Sequence, residues 1–169
     1  MSTRVHIQTT LSWHPLTIAT LLIRVSLALY ILVHPLWGFL WSMVFDYLDS
    51  QILIHVVRMN RMTYQRWDKC VDWCAYATQL VVAARYGFFV PFLFLFLYRF
   101  VGFVGFMRTN KRAYFIFFPN LFDMAFLWML VAYPLGGTSW VWLAVLFFAK
   151  EVHEFVLHYW WPHAHPTEG

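Results

Sequence analysis

The sequence is poor in charged residues and in cysteine. Only 12% of the 169 residues are charged, against 62% hydrophobic and 22% aromatic, and there are two cysteines. A soluble domain of this size carries about a quarter charged residues, so this chain has too little polar surface for a water-soluble globule. The same deficit excludes a disordered chain and a nucleic-acid-binding domain, and two cysteines exclude a disulfide scaffold. Mean hydropathy is +0.59, which is typical of an integral membrane protein.

Proline, glycine and charged residues divide the apolar sequence into six runs, each near the roughly 20 residues that a helix needs to cross a bilayer. We expect an all-α, polytopic membrane protein, because lipid offers no partners to exposed backbone amides and the sequence lacks the alternation of a barrel. The chain is interpreted as one membrane domain, 1–169, with a short interfacial segment 1–15 that lacks a signal-peptide pattern and a polar tail 161–169. The predicted spans are residues 16–33, 36–57, 67–86, 87–107, 113–133 and 139–160.

Basic residues set the predicted orientation. They gather after spans two and four, at Arg58, Arg61, Arg66, Arg108, Lys111 and Arg112. By the positive-inside rule both loops are cytoplasmic, and with six spans both termini are cytoplasmic too. We expect an integral protein of a bacterial-type inner or plasma membrane. The net charge of +4 then reflects topology and needs no nucleic-acid partner.

Four of the five aspartates fall within one 27-residue window. Asp46 and Asp49 are three residues apart near the end of span two, and Asp68 and Asp72 are four apart near the start of span three, so each pair shares a helix face. Because a short loop joins the two helices, we expect them to be antiparallel neighbours. Four converging carboxylates require positive charge, and hard divalent cations prefer oxygen ligands. The alternative is local pairing, of Asp68 with Arg66 or Lys69, and of Asp46 and Asp49 with Arg58.

The segments VFDYLDSQIL and YQRWDKCVDWCAY resemble the signature of the CDP-alcohol phosphatidyltransferases, D-x2-D-G-x2-A-R-x8-G-x3-D-x3-D, which is split across the second and third of six helices. The resemblance implies that Asp46, Asp49, Asp68 and Asp72 hold two Mg²⁺ or Mn²⁺ ions, with Asp72 also the general base. Transfer of a phosphatidyl-type group from a CDP-diacylglycerol-like lipid to an alcohol is the implied reaction, with the active site facing the cytoplasm. A homodimer is implied as well.

This chain departs from that signature at several positions. Ser50 and Tyr64 stand where the family has glycines, and Leu53 and Ile54 replace its alanine and arginine. We take Ser50, Arg58, Arg66 and Lys69 as candidate substrate-binding residues. The departures leave open a different donor, a rebuilt pocket or lost activity. A non-catalytic helical membrane subunit or silent relative is the main alternative, and a histidine-based haem or diiron protein is a weaker one.

Other polar residues lie inside the predicted spans. We expect Asp123 to form an internal ion pair, with Arg24 as a candidate, or else to contact an acceptor headgroup. Arg99 is expected to snorkel toward the cytoplasm. In span six we expect internal pairing of lysine and glutamate, with a polar wall or a separate metal site as alternatives. That group comprises Lys150, Glu151, His153, Glu154 and His158. Cys70 and Cys74, one turn apart, are interpreted as packing residues.

Overall fold

A computed structural model describes residues 14–136, 139–156 and 160, and all regular secondary structure in these residues is helical. The predicted all-α class is therefore confirmed for this part of the chain. The tail 161–169, His158 and nearly all of the segment 1–15 lie outside the described residues. The chain divides into two compact units, residues 1–78 and 79–169.

Seven α-helices follow one another along the described residues. Both α1 and α2 begin with a proline, whose missing N–H costs nothing at the first helical position. A π-helical turn, Ile52–Val56, extends α2, and a 3-10 turn, Tyr133–Leu135, follows α6. The helices are α1 Pro15–Ile31, α2 Pro35–Gln51, α3 Arg61–Arg85, α4 Phe89–Thr109, α5 Tyr114–Phe117, α6 Leu121–Val131 and α7 Ser139–Phe155.

Helix α3 begins at Arg61, six residues before the predicted span. The side chain of Asn60 explains the early start, because its Oδ1 accepts hydrogen bonds from the backbone N–H groups of Met62 and Thr63, at 2.8 and 3.4 Å. These are the donors that a helix N-terminus leaves without intrahelical partners. Arg61 and Arg66 therefore belong to the first turns of α3, and the predicted basic loop is shorter than expected.

The predicted fifth span is interrupted between α5 and α6. Pro119 carries no N–H to continue the helix, and the Asn120 side chain caps the new start at the N–H of Asp123. Tyr98 and Arg99 of α4 donate to the carbonyl oxygens of Phe117 and Phe118, each at 2.5 Å. Arg99 is 5% exposed and lies over the Phe115 ring. The prediction that Arg99 snorkels is therefore wrong, since it satisfies the backbone at the break.

Two stretches are long and apolar enough to cross a membrane. They are Phe89–Thr109 and Tyr114–Leu135, with mean hydropathies of 2.0 and 1.8 over their best windows. The shorter α1 is apolar too. The 21 residues of the continuous helix Phe89–Thr109 are compatible with the roughly 30 Å hydrocarbon core of a bilayer at about 1.5 Å per residue.

The first unit is built around the contact of α1 with α2. Gly38 lies so close to Ile31 that a Cβ atom placed on it would be 2.7 Å from the Ile31 backbone nitrogen. A compact apolar cluster then connects the π-helical turn to the start of α3. It consists of Leu53, Met59, Tyr64, Trp67 and Val71. This packing sets where the acidic ends of α2 and α3 lie.

The second unit has an aromatic core. Phe92 of α4 packs edge-to-face on Phe122 and Phe126 of α6, with ring centroids 5.3 and 6.3 Å apart. An apolar cavity of about 520 Å³ is lined by residues of α4, α6 and α7. On α7, Lys150 and Glu154 form an ion pair at 3.0 Å, which confirms the expected internal pairing.

Candidate functional site

Asp46, Asp49, Asp68 and Asp72 converge within the first unit. The first two lie on one face of α2 and the last two on one face of α3, as their spacings predict. Their carboxylates all contact the same side chain, the guanidinium of Arg24. The two acidic faces therefore meet, as expected for neighbouring antiparallel helices.

Arg24 reaches into this cluster from α1. Its Nη1 atom lies 2.7 Å from Asp49 Oδ2 and 2.6 Å from Asp68 Oδ1. Its Nη2 atom lies 2.9 Å from Asp46 Oδ1 and 2.5 Å from Asp72 Oδ1. Each terminal nitrogen thus joins one carboxylate of α2 to one of α3. The planar guanidinium suits such a role because its donors have a fixed fork geometry.

Lys69 supplies the second internal cation. Its Nζ atom lies 2.6 Å from Asp68 Oδ2 and 2.8 Å from Asp72 Oδ2. The expected local pairing of Asp68 with Lys69 is therefore present, but it coexists with convergence of the four aspartates. Local ion pairing and convergence of the four aspartates, which were alternatives in the sequence, therefore occur in the same cluster.

The cluster has more acidic than basic groups. Four carboxylates carry four negative charges, and Arg24 and Lys69 return two, which leaves two when all six groups are ionised. The side chain of Arg24 is 9% exposed and that of Asp49 fully buried, so water screens these charges weakly. A residual charge of this sign in a poorly solvated position favours a further cation.

Tyr64 makes the most buried contact of the cluster. Its hydroxyl donates a 2.8 Å hydrogen bond to Asp49 Oδ1, while Arg24 holds Asp49 Oδ2. Burial, together with the charges of Asp68 and Asp49, raises the pKa of the Tyr64 phenol far above its usual value, so the phenol stays protonated and can donate. Both oxygens of Asp49 are therefore engaged by neighbouring side chains.

Three of the aspartates have the arrangement of a metal site. Asp46, Asp68 and Asp72 each offer an oxygen, and these oxygens lie within 4.8 Å of one another. A carboxylate oxygen has two lone pairs, so an oxygen that contacts Arg24 or Lys69 retains acceptor capacity. The Asp46 side chain is 49% exposed, and its Oδ1 makes no hydrogen bond although it lies 2.9 Å from Arg24. The donor set therefore fits one hard divalent cation.

The predicted substrate-binding residues lie in different surroundings. Lys69 belongs to the cluster. Ser50 donates its hydroxyl to the Tyr47 carbonyl oxygen at 2.7 Å. Arg58 is exposed and takes a left-handed backbone conformation, φ 58°, between α2 and α3. Arg66 is exposed on the second turn of α3. Lys69 contacts Asp68 and Asp72 directly.

Two residues of the cluster were not assigned to it from the sequence. The sequence predicts Arg24 as a partner of Asp123, yet its two terminal nitrogens contact the four clustered aspartates. Tyr64 was noted only as a departure from the glycine of the family signature. A signal for Arg24 did exist, since a single arginine inside an apolar span requires an acidic partner and four aspartates required a cation.

Asp123 of the second unit has amide partners. It accepts hydrogen bonds from Gln79, at 3.2 Å, and from Asn120. Gln79 is 2% exposed, so this is a buried polar group. The partners of Arg24 are therefore the four aspartates rather than Asp123.

Cys70 and Cys74 are both exposed free thiols, and their interpretation as packing residues is wrong.

Comparison with known proteins found no matching family model, no matching curated protein and no matching solved structure.

Proposed function

We propose that this protein is a membrane-embedded transferase that moves a phosphatidyl-type group from a nucleotide-activated lipid to an alcohol, using a divalent cation held by aspartates of α2 and α3. The observation that carries the proposal is the convergence of Asp46, Asp68 and Asp72, whose oxygens lie within 4.8 Å of one another. These are three of the four aspartates that the resemblance to CDP-alcohol phosphatidyltransferases assigns to the metal site.

Mg²⁺ or Mn²⁺ is the cation that suits these ligands, because both prefer carboxylate oxygens. Bound there, it would neutralise the pyrophosphate charge of a CDP-diacylglycerol-like donor. The chain's own residues position the reactants. Lys69 holds Asp72 through its Oδ2, and Asp72 accepts the proton of the acceptor hydroxyl. Arg58 and Arg66, both exposed, would bind further phosphate charge, and Ser50 lies near the end of α2.

The proposal includes six spans with both termini in the cytoplasm and a homodimer, with the site facing the cytoplasm. Many large apolar side chains are exposed on the helices of both units, which supports contact with lipid. Examples from four helices are Trp37 at 60%, Val90 at 74%, Phe94 at 69% and Phe148 at 72% exposure, with Leu22 at 61%. In water these side chains would favour aggregation.

The experiment measures CMP release from CDP-diacylglycerol by the purified protein with a panel of alcohols and Mg²⁺ or Mn²⁺. We expect Asp72→Asn to lower the rate by at least about a hundredfold, because general-base catalysis contributes about that much. The matched control is Glu151→Gln on α7, a carboxylate outside the cluster, which should retain wild-type turnover. Undiminished turnover in Asp72→Asn, or in excess chelator, would contradict the mechanism.

A non-catalytic membrane subunit is the second candidate. It is favoured by the ion pairs of Arg24 and Lys69, which provide the aspartates with cations from the chain itself. Such a network joins α1, α2 and α3 without any ligand. Absence of CMP release with every alcohol, together with absence of Mn²⁺ binding, would favour this candidate.

A further inference from the structure

We propose that the apolar cavity between α4, α6 and α7 is a binding site for one acyl chain of a membrane phospholipid. This inference goes beyond the proposed function, because the cavity is built by residues of the second unit and the aspartate cluster by residues of the first. It requires only that α4 lies in a membrane, which its length and hydropathy allow.

The walls of the cavity select an apolar occupant. The cavity measures about 520 Å³ and is bordered almost entirely by apolar atoms. The indole N–H of Trp128, one of the lining residues, donates a 2.6 Å hydrogen bond to the carbonyl oxygen of Ser139, so it is already engaged. Water needs two to four polar partners to stay in such a site. The walls therefore favour hydrocarbon over water and over a polar headgroup.

Contacts between aromatic rings hold these walls in place. Phe88 packs edge-to-face against Phe92 and Trp128, with ring centroids 6.5 and 5.8 Å apart. Trp128 also contacts the ring of Trp140, at 4.8 Å. Phe92 and Trp128 are only 2% and 3% exposed, so packing fixes their rings. Because the cavity cannot close without breaking these contacts, it is largely preformed, as small-molecule sites usually are.

The cavity opens onto the apolar outer surface of the helices. Its inner wall is buried, whereas three other lining residues form an exposed rim. These are Val90, Phe94 and Trp140, with 74%, 69% and 62% exposure. When α4 crosses a bilayer, this rim faces the hydrocarbon core. A lipid chain then enters sideways, while its headgroup stays in the polar interface.

The lining follows the helix axes, which is also the direction of a lipid chain beside a membrane-spanning helix. On α7 the lining residues are Trp140, Leu143 and Phe147, whose spacings of three and four place them on one face over about 10 Å. On α4 the lining ends at Leu95, about 20 Å along the axis from Arg108 at the basic end. The bound chain therefore belongs to a lipid of the leaflet away from that basic end.

The test uses the full chain in detergent micelles that contain phosphatidylcholine with a photoreactive diazirine at the middle of one acyl chain. After illumination at rising mole fractions of this lipid, mass spectrometry of peptides locates the adducts. We expect adducts on residues 90–95 and 140–147 to saturate at low lipid fractions, with a single adduct per chain. Adducts around Leu22, an exposed residue of α1, should instead rise linearly.

Ala125→Leu is the variant that should empty the site, because Ala125 borders the cavity and is 4% exposed. The larger side chain takes space from the lipid chain, and excluding about two methylene groups lowers the affinity about tenfold. Labelling of the cavity should fall by that factor. The matched control is Ala144→Leu, the same change at an exposed alanine of α7, which should label as the wild type does.

Three results would overturn the inference. One is linear labelling of the cavity residues in the wild type, since lipid chains would then merely coat the surface. Another is undiminished labelling in a folded Ala125→Leu variant. The third is cavity labelling that falls as protein concentration rises at a fixed lipid fraction, which would assign the cavity to a second copy of the chain. If Ala125→Leu does not fold, Leu143→Trp takes its place and the same loss is expected.

Discussion

Arg24 is the residue on which the other contacts of the aspartate cluster depend. Its two terminal nitrogens contact four carboxylates on two helices, and its side chain is 9% exposed. A lysine has one charged nitrogen and lacks the planar fork, so it cannot bridge both pairs at once. The position thus requires arginine for its geometry as well as for its charge.

At the same scale, Tyr64→Phe removes one hydrogen bond and little else. Asp49 Oδ1 loses its donor while remaining fully buried. A hydrogen bond to a charged group contributes about 2 kcal/mol, so the apparent Tm in detergent should fall by roughly 4–8 °C. Tyr47→Phe, which alters a tyrosine that is 68% exposed, is the control and should leave the Tm unchanged. Equal Tm values for the two variants would show that the bond contributes nothing.

The residues of this site were only partly predictable from the sequence. The i, i+3 and i, i+4 spacings predict which aspartates share a face, and that prediction agrees with their common contact, Arg24. The sequence does not predict which cation meets them, because Arg24 lies 22 residues before Asp46 and its partners depend on how α1 packs against α2. The Tyr64 contact is equally non-local in origin, since it depends on the turn between α2 and α3.

At the scale of elements, the close approach of α1 to α2 determines where Arg24 lies. Gly38→Ala should weaken this contact, because the added Cβ would lie 2.7 Å from a backbone nitrogen of Ile31, which cannot move aside as a side chain can. Overpacking of this kind costs about 1–3 kcal/mol. We expect a lower apparent Tm and weaker Mn²⁺ binding. The control is Met43→Ala on the same helix, whose side chain is 45% exposed. An unchanged Tm in Gly38→Ala would show that the helices can separate at little cost.

Some helix boundaries can be predicted from residue type and hydropathy, and others cannot. Proline at the first helical position marks the starts of α1 and α2, and these agree with the predicted spans within one residue. The break at Pro119 follows from the same residue type, yet the apolar run on both sides favoured one continuous span. Mean hydropathy reflects only the average composition of a segment, so it does not reveal that Pro119 lacks the backbone N–H needed to continue a helix. The Asn60 cap was missed because polar residues around it indicated a loop.

For the whole molecule, the distribution of basic residues is the strongest basis for a topology. Arg58 follows α2, Arg108 lies in the last turn of α4 and Lys111 follows that helix, and an even number of spans between the two groups would place them on one side. The turn between α3 and α4, at Tyr86–Phe88, would lie on the other side. Two stretches of the second unit, Phe89–Thr109 and Tyr114–Leu135, are long and apolar enough to cross, and the first follows directly after that turn. The two ends of α4 therefore provide the simplest test of orientation.

Single cysteines at the two ends of α4 should label from opposite sides of the membrane. The native Cys70 and Cys74 are exposed and must first be replaced by serine. In that background, Thr109→Cys should react with a membrane-impermeant maleimide only in inside-out vesicles, and Tyr86→Cys only in right-side-out vesicles. The physical reason is the cost of moving the basic end of α4 across the bilayer. Detergent-solubilised samples, in which both positions should react, control for thiol reactivity. Labelling of both cysteines from the same side would mean that α4 does not cross the membrane.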